Sequence, residues 1–225
     1  ACYLAKNGFD VTILEKNKTV GGRARQFIKD GFTFDIGPTW YWMPDVFEKF
    51  FADFGKKPSD YYHLDKLNPA YVVYFDELDA IRIPDNLKDI YDIFEIQEKG
   101  SSKHLESFLD NAKHNYVVAI KVLVYRPGIS ISVFIMPVTI KKANQFFSTI
   151  RTAVRKNIKN NRLQQIMEFP VLFLGAKPSN TPSFYSFMNY ADFGLGTWHP
   201  KGGMYEVVKA MTLLATELGV KIKTN

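Results

Sequence analysis

Residues Phe9-Asp10-Val11-Thr12-Ile13-Leu14-Glu15 form an apolar, β-branched run that closes on an acid. That composition suits a strand buried on both faces of a parallel sheet. Just upstream, Ala1-Cys2-Tyr3-Leu4-Ala5-Lys6-Asn7-Gly8 has the small and apolar residues of a helix's last turns and then an Asn-Gly stop. Helix end, short turn and strand together make half of a βαβ unit. The other end of the chain repeats the pattern, with a helix from about Tyr205 to Leu218 and then Gly219-Val220-Lys221-Ile222-Lys223 as a strand. The fold class read from these ends is α/β. A domain seldom opens in mid-helix, so the expectation is that the chain is an internal fragment.

Length and composition bound the rest. With 225 residues, 46% of them hydrophobic, the chain has material for one large domain or two small ones. Its formal charge of +6 favours anionic partners: nucleic acid, phosphate-bearing cofactors or acidic lipid headgroups. Cys2 is the only cysteine, which excludes a disulfide framework and zinc-type spacing and suits a reducing compartment. No metal is expected.

Between the two ends the pattern changes. Residues 16–39 are loop-like, with Gly21-Gly22, Gly31 and Gly37-Pro38 around a short strand at Phe32-Thr33-Phe34. From Pro44 to Phe54, Val46, Phe47, Phe50, Phe51 and Phe54 recur at helical spacing behind Asp45, the expected cap. Tyr71–Phe75 and Ile81–Ile83 read as two strands around an acidic turn, and two polar helices follow between Leu87 and Asn115, joined near Gly100. Tyr116 to Ile140 is the most apolar stretch, but Lys121, Arg126-Pro127-Gly128 and Pro137 break it short of a membrane span. A basic segment from Lys141 to Arg162 interleaves Phe146, Phe147, Ile150, Val154 and Ile158 with cations. Such a helix either rests on a lipid surface or packs its apolar side on its own domain.

Several residues have the chemistry of a dinucleotide site. Glu15 stands where such folds place the acid that accepts hydrogen bonds from an adenosine ribose. Gly21-Gly22-Arg23-Ala24-Arg25 sets two permissive backbone positions beside two guanidinium groups, suited to a pyrophosphate. Asp35-Ile36-Gly37-Pro38-Thr39-Trp40 is a second tight loop, against which a flat ring could lie. Lys201-Gly202-Gly203, ahead of a helix, offers backbone N–H groups for an anion or a polar ring atom.

The series Leu14-Glu15-Lys16-Asn17, Gly21-Gly22-Arg23-Ala24-Arg25 and Asp30-Gly31-Phe32-Thr33-Phe34-Asp35-Ile36-Gly37-Pro38-Thr39 resembles, in order and spacing, the N-terminal region of bacterial-type phytoene (carotenoid) desaturases. The resemblance continues through Trp40-Tyr41-Trp42-Met43-Pro44, Glu168–Gly175, Asn189-Tyr190-Ala191-Asp192 and Gly196–Met204, weakening between about 76 and 165. These desaturases are FAD-dependent flavoproteins of the amine-oxidase-like superfamily. The resemblance implies a doubly wound, Rossmann-like FAD-binding domain, incomplete here and interrupted by an α+β substrate and membrane-facing domain. Residues 1–65 are then the first part of the FAD domain, without its first strand and glycine loop; 66–190 form the substrate domain; and 191–225 return to the FAD domain.

By the same likeness Glu15 binds the adenosine ribose and Gly21, Gly22 and Arg23 sit by the pyrophosphate and ribityl chain. Gly37, Pro38 and Thr39 lie near the isoalloxazine, with Gly202 and Gly203 on its other side. The implied substrate is a long apolar polyene such as phytoene, so the flavin takes the hydride and the protein supplies an apolar tunnel and a base. His199 is the candidate base, against a structural histidine in an aromatic loop. Trp40, Tyr41, Trp42 and Met43 read as core rather than tunnel lining. A lipid-dissolved substrate places the enzyme peripherally on the cytoplasmic membrane face, with residues 116–160 as the contacting segment; no nucleic-acid partner is expected. The alternatives are a carotenoid isomerase, ketolase, saturase or amine oxidase with the same loops, and a basic lipid- or nucleic-acid-binding module without chemistry.

Overall fold

The computed structural model describes residues 1–126 and 142–225. The chain forms two compact units, one from Ala1–Lys66 with Trp198–Asn225 and one from Leu67–Thr197. Elements are numbered along the chain, across both units.

In the first unit α1 (Cys2–Lys6) stops at Gly8, whose φ of 84° lets the N–H groups of Gly8 and Phe9 turn back to Ala5 O at 2.9 Å and Leu4 O at 3.2 Å. The strand β1 therefore starts only at Thr12 and runs to Glu15. It pairs in parallel with β8 (Lys221–Thr224), Thr12 opposite Lys221 and Glu15 opposite Thr224. Its burial departs from the sequence reading. Ile13 and Ile222 pack on the core side formed by α8 (Tyr205–Glu217), whereas Leu14 is 78% exposed. Only one face of the pair is covered among the described residues, so β1 is not buried on both.

The strands β2 (Gln26–Lys29) and β3 (Phe32–Asp35) form an antiparallel hairpin over Asp30-Gly31. Both turn residues have positive φ, 52° and 80°, the geometry that matches strand twist across a two-residue loop. The loop-like reading of residues 16–39 lacks β2. The helix α2 (Pro44–Ala52) begins one residue earlier than its acid: the N-cap is Met43, held at φ 56° without a side-chain cap bond, and Asp45 lies in the first turn. There its charge meets the positive helix end, so Asp45 is not the cap. The strand β4 (Leu64–Lys66) pairs antiparallel with β7 (Trp198–Pro200), and Trp198 also exchanges backbone bonds of 3.0 and 3.1 Å with Tyr41. The core joins Tyr41, Phe51 and Tyr62 to Val207, Ala210 and Leu214 of α8. Each such large side chain is worth about 1.5–3 kcal/mol of apolar burial.

The second unit opens with the hairpin β5 (Tyr71–Asp76) and β6 (Asp79–Ile83). Two helices follow as the sequence predicts: α3 (Leu87–Gln97), whose Asn86 cap accepts Asp89 N–H at 3.0 Å, and α4 (Ser101–Tyr116), entered through Gly100 at φ 86°. The helix α3 packs on α4, and Ile90, Phe94, Leu105, Leu109 and Ala112 are all buried.

The basic segment is not one surface helix. It comprises α5 (Ala143–Phe147) and α6 (Ile150–Arg155), broken where Thr149 turns extended and caps α6 through Thr152 N–H. Ile150, Val154 and Ile158 are fully buried, packed toward α7 (Asn161–Glu168). Arg155 Nε and Arg151 Nε reach Glu168 at 2.7 and 3.5 Å, and Arg162 pairs with Asp79 at 2.6 Å. The apolar side of α6 thus packs on its own unit, and these arginines have protein partners. Residues 127–141, including Pro127, Gly128, Pro137 and Lys141, lie outside the described residues. Among the described residues no helix is long and apolar enough to cross a membrane.

Candidate cofactor site

The C-terminal end of β1 presents Glu15 at a cavity of about 430 Å³, which Gly21, Ile13, Val208 and Ile222 also line. Asn17 donates to Glu15 Oε1 twice, from its backbone N–H at 2.8 Å and from Nδ2 at 2.6 Å. Both bonds fall on one oxygen, so Oε2 keeps its lone pairs for another donor.

Three glycines, far apart in sequence, each pack tightly against a neighbouring segment, and of these Gly21 lines the cavity. Gly21 packs on α8, where an added Cβ would come within 3.2 Å of both Tyr205 and Val208, and the Tyr205 hydroxyl donates to Val20 O at 3.2 Å. Gly37, at φ 115°, lies against the carbonyl of Arg23, into which any side chain would run. Ile36 N–H closes the same contact onto Arg25 O at 2.8 Å. Gly203, at φ 102°, lies against the Asp35 carboxylate with no room for a Cβ. Only glycine meets both demands, a left-handed backbone and a bare Cα.

Asp35 is the residue that sequence reasoning missed. Its Oδ2 accepts the N–H of Met204 at 2.6 Å, at the start of α8, and its Oδ1 accepts Gln26 Nε2 at 3.3 Å. This corrects the expectation for Lys201-Gly202-Gly203. The N–H of Met204 is held by Asp35 and that of Gly203 by Pro200 O at 2.9 Å, so neither is free for an anion. No local signal marks Asp35 as a cap, because the helix it caps lies at the opposite end of the chain.

His199 stands on β7 opposite Asp65, with Nδ1 3.3 Å from the carbonyl of Thr39. A carbonyl only accepts, so in this contact Nδ1 is the donor. The structure thus joins His199 to the Gly37-Pro38-Thr39 loop, that loop to Arg23, and Gly203 to Asp35. Pro38 is exposed and Gly202 packs near Glu206. Glu15 shares its cavity with Gly21 alone among the other candidates. Tyr41 and Trp42 are core residues. In the second unit the fully buried Asp192 accepts from the Tyr71 hydroxyl at 2.6 Å, and burial pushes its pKa up to about 7 against the lowering effect of that bond.

The donor set fits a dinucleotide: a carboxylate at a strand end with one oxygen unspent among the described residues, bare glycine backbone beside it, and the exposed Arg23 guanidinium, unpaired among the described residues. The profile of the "Flavin containing amine oxidoreductase" family matches residues 1–225, and the chain belongs to that family of oxidoreductases, whose cofactor is FAD. It is 40% identical over 232 residues to a carotenoid 3,4-desaturase of Haloarcula japonica, covering all of this chain and 46% of that protein. It is 33% identical to the 4,4'-diapophytoene desaturase (4,4'-diaponeurosporene-forming) of Staphylococcus haemolyticus, covering all of this chain and 45% of that one. The chain spans somewhat under half the length of these curated relatives. Among solved structures it is similar to an oxidoreductase from Methanosarcina mazei (TM-score 0.54, 16% identity, 99% of this chain and 47% of that one). A variant of putrescine oxidase is another (TM-score 0.58, 13% identity, 98% and 46%). At these identities the likeness concerns the fold.

Proposed function

We propose that this chain carries the FAD-binding and part of the substrate-binding machinery of a carotenoid desaturase that oxidises a long apolar polyene such as phytoene. The observation that carries the reading is the 40% identity to a carotenoid 3,4-desaturase across the whole chain. In this reading the first unit is a doubly wound FAD domain, represented by the parallel pair β1 and β8 with α1 and α8, and the stretch between them is the inserted substrate domain. The bound flavin supplies a hydride acceptor.

Glu15 holds the adenosine ribose through its unspent oxygen, and Gly21, Gly22 and Arg23 receive the pyrophosphate and ribityl chain. Gly37, Pro38 and Thr39 lie along the isoalloxazine, and Gly202 and Gly203 close its other side by shape rather than by free N–H groups. His199, oriented by Thr39 O, takes a proton at Nε2. An apolar polyene has no group for a side chain to activate, so the protein's part is positioning, exclusion of water and transfer of that proton.

The substrate dissolves in lipid, so the enzyme works peripherally on the cytoplasmic membrane face. Supporting this are Val124, Tyr125 and Phe147, apolar residues of the 116–160 segment that stay exposed, Phe147 to 92%. The test is spectroscopic. Protein purified from host membranes in mild detergent and loaded with FAD should absorb near ~450 nm and bleach anaerobically on addition of phytoene. A protein that takes up no flavin, or whose flavin phytoene leaves oxidised, defeats the proposal.

A further inference from the structure

The first unit contains a larger cavity, about 600 Å³, that none of the residues assigned to FAD lines. Its size is that of a small-molecule site. Three aromatic residues, Tyr41, Tyr62 and Trp198, form its apolar walls. The hydroxyls of Tyr41 and Tyr62 are bonded to each other at 2.8 Å, and the residues are only 1% and 6% exposed. Two hydroxyl hydrogens share this single bond, so one of them lacks an acceptor among the described residues. Leaving a buried donor unsatisfied is costly, and a bound acceptor removes the cost. Burial raises the pKa of both phenols, so the donor stays protonated at neutral pH.

The wall also carries charged side chains. Lys56 pairs with Glu217 at 3.1 Å and His63 with Asp65 at 2.9 Å, whereas Lys57 forms no ion pair among the described residues. Among the described residues Glu48 is the one carboxylate on the wall and, like Lys57, it forms no ion pair. We propose that this cavity is a second small-molecule site for a flat aryl carboxylate with a further oxygen acceptor. Its ring lies on the aromatic wall, the acceptor takes the free tyrosine hydrogen, and the carboxylate meets Lys57.

The probe is 4-acetylbenzoate, titrated into the full 225-residue chain and followed by saturation-transfer NMR. Saturable binding with Kd below about 1 mM is expected, unchanged by saturating FAD. Tyr62→Phe combined with Tyr41→Phe, which keeps both rings and removes both hydroxyls, should weaken it about tenfold, the worth of one hydrogen bond. Lys57→Ala, at an exposed position, should weaken it several-fold, Glu48→Gln should tighten it, and 4-acetylbenzylamine should bind more weakly than the acid. Absence of saturable binding, equal affinity in the Lys57→Ala variant, preference for the amine, or displacement by FAD each overturns the assignment. Should the double tyrosine variant fail to fold, the lysine and glutamate variants decide.

Discussion

The Asp35 carboxylate accepts the N–H of Met204, the N-cap of α8, from 169 residues away in sequence and at 2.6 Å. One side chain thereby ties the end of the β2–β3 hairpin to the helix that carries the core of the first unit. A carboxylate at this position satisfies an orphan N–H and opposes the positive end of the helix dipole. Asp35→Ala should cost about 1–2 kcal/mol in urea unfolding and loosen FAD. Asp35→Asn keeps an acceptor and should cost less. Equal stability of all three proteins would show that the contact contributes nothing.

Gly37 and Gly203 make a sharper prediction, because their neighbours are a backbone carbonyl and a carboxylate held by its own bonds. Gly37→Ala combines left-handed strain with a collision against Arg23 O, and about 3 kcal/mol or more of destabilisation is expected. Gly8 is the control. It has φ 84° and no atom within 4 Å of the place a Cβ would take, so Gly8→Ala carries only the backbone strain, about 1 kcal/mol. Thermal melts of the two variants should differ accordingly; indistinguishable melts would mean the Gly37 contact can yield.

Asp192 ties stability to pH. Its folded pKa is raised to about 7, above the ordinary carboxylate value of about 3.9, so between these values the folded state holds the proton more tightly. Stability from this group is therefore full at low pH and declines as pH rises from about 4 to about 7, by up to about 1.4 kcal/mol per unit. Asp192→Asn, which cannot ionise, should flatten the pH dependence between pH 5 and 8 in urea titrations. A wild-type curve that rises across this range and an unchanged curve in the variant would both contradict the assignment.

The parts of this fold that were legible from the sequence are those written locally. The helix stop at Asn7-Gly8, the acid at Glu15 and the glycine loops depend on few neighbours, since glycine marks its own backbone demand. The two helices on either side of Gly100 were legible because a cap and a periodic face lie within one segment. What was hidden is what the fold brings from afar. Asp35 has no cap pattern around it, because the helix it caps begins after Met204. The arginines of α6 left a lipid surface and a packed helix equally open, because their acid, Glu168, stands on the next helix. The exposure of Leu14 follows from which face α8 covers, and composition carries no record of that choice.

The pairing of Arg155 with Glu168 separates a structural role from a lipid-binding one. The Glu168 side chain is 8% exposed, whereas those of Arg155 and Arg151 are 42% and 45% exposed. Removing the acid leaves two guanidiniums that still reach water. Removing Arg155 leaves a buried carboxylate with only the longer 3.5 Å contact to Arg151. The asymmetry of burial predicts an asymmetry of cost: Arg155→Ala should destabilise by about 2–3 kcal/mol, and Glu168→Gln by about 1. A double-mutant cycle should return a coupling above about 1 kcal/mol. Arg155→Ala should leave binding to vesicles of anionic lipid unchanged, whereas loss of the exposed Lys156 should weaken it by about 1 kcal/mol if the segment meets a membrane. If Arg155→Ala instead cut vesicle binding at unchanged stability, the cation would belong to the lipid interface and not to Glu168.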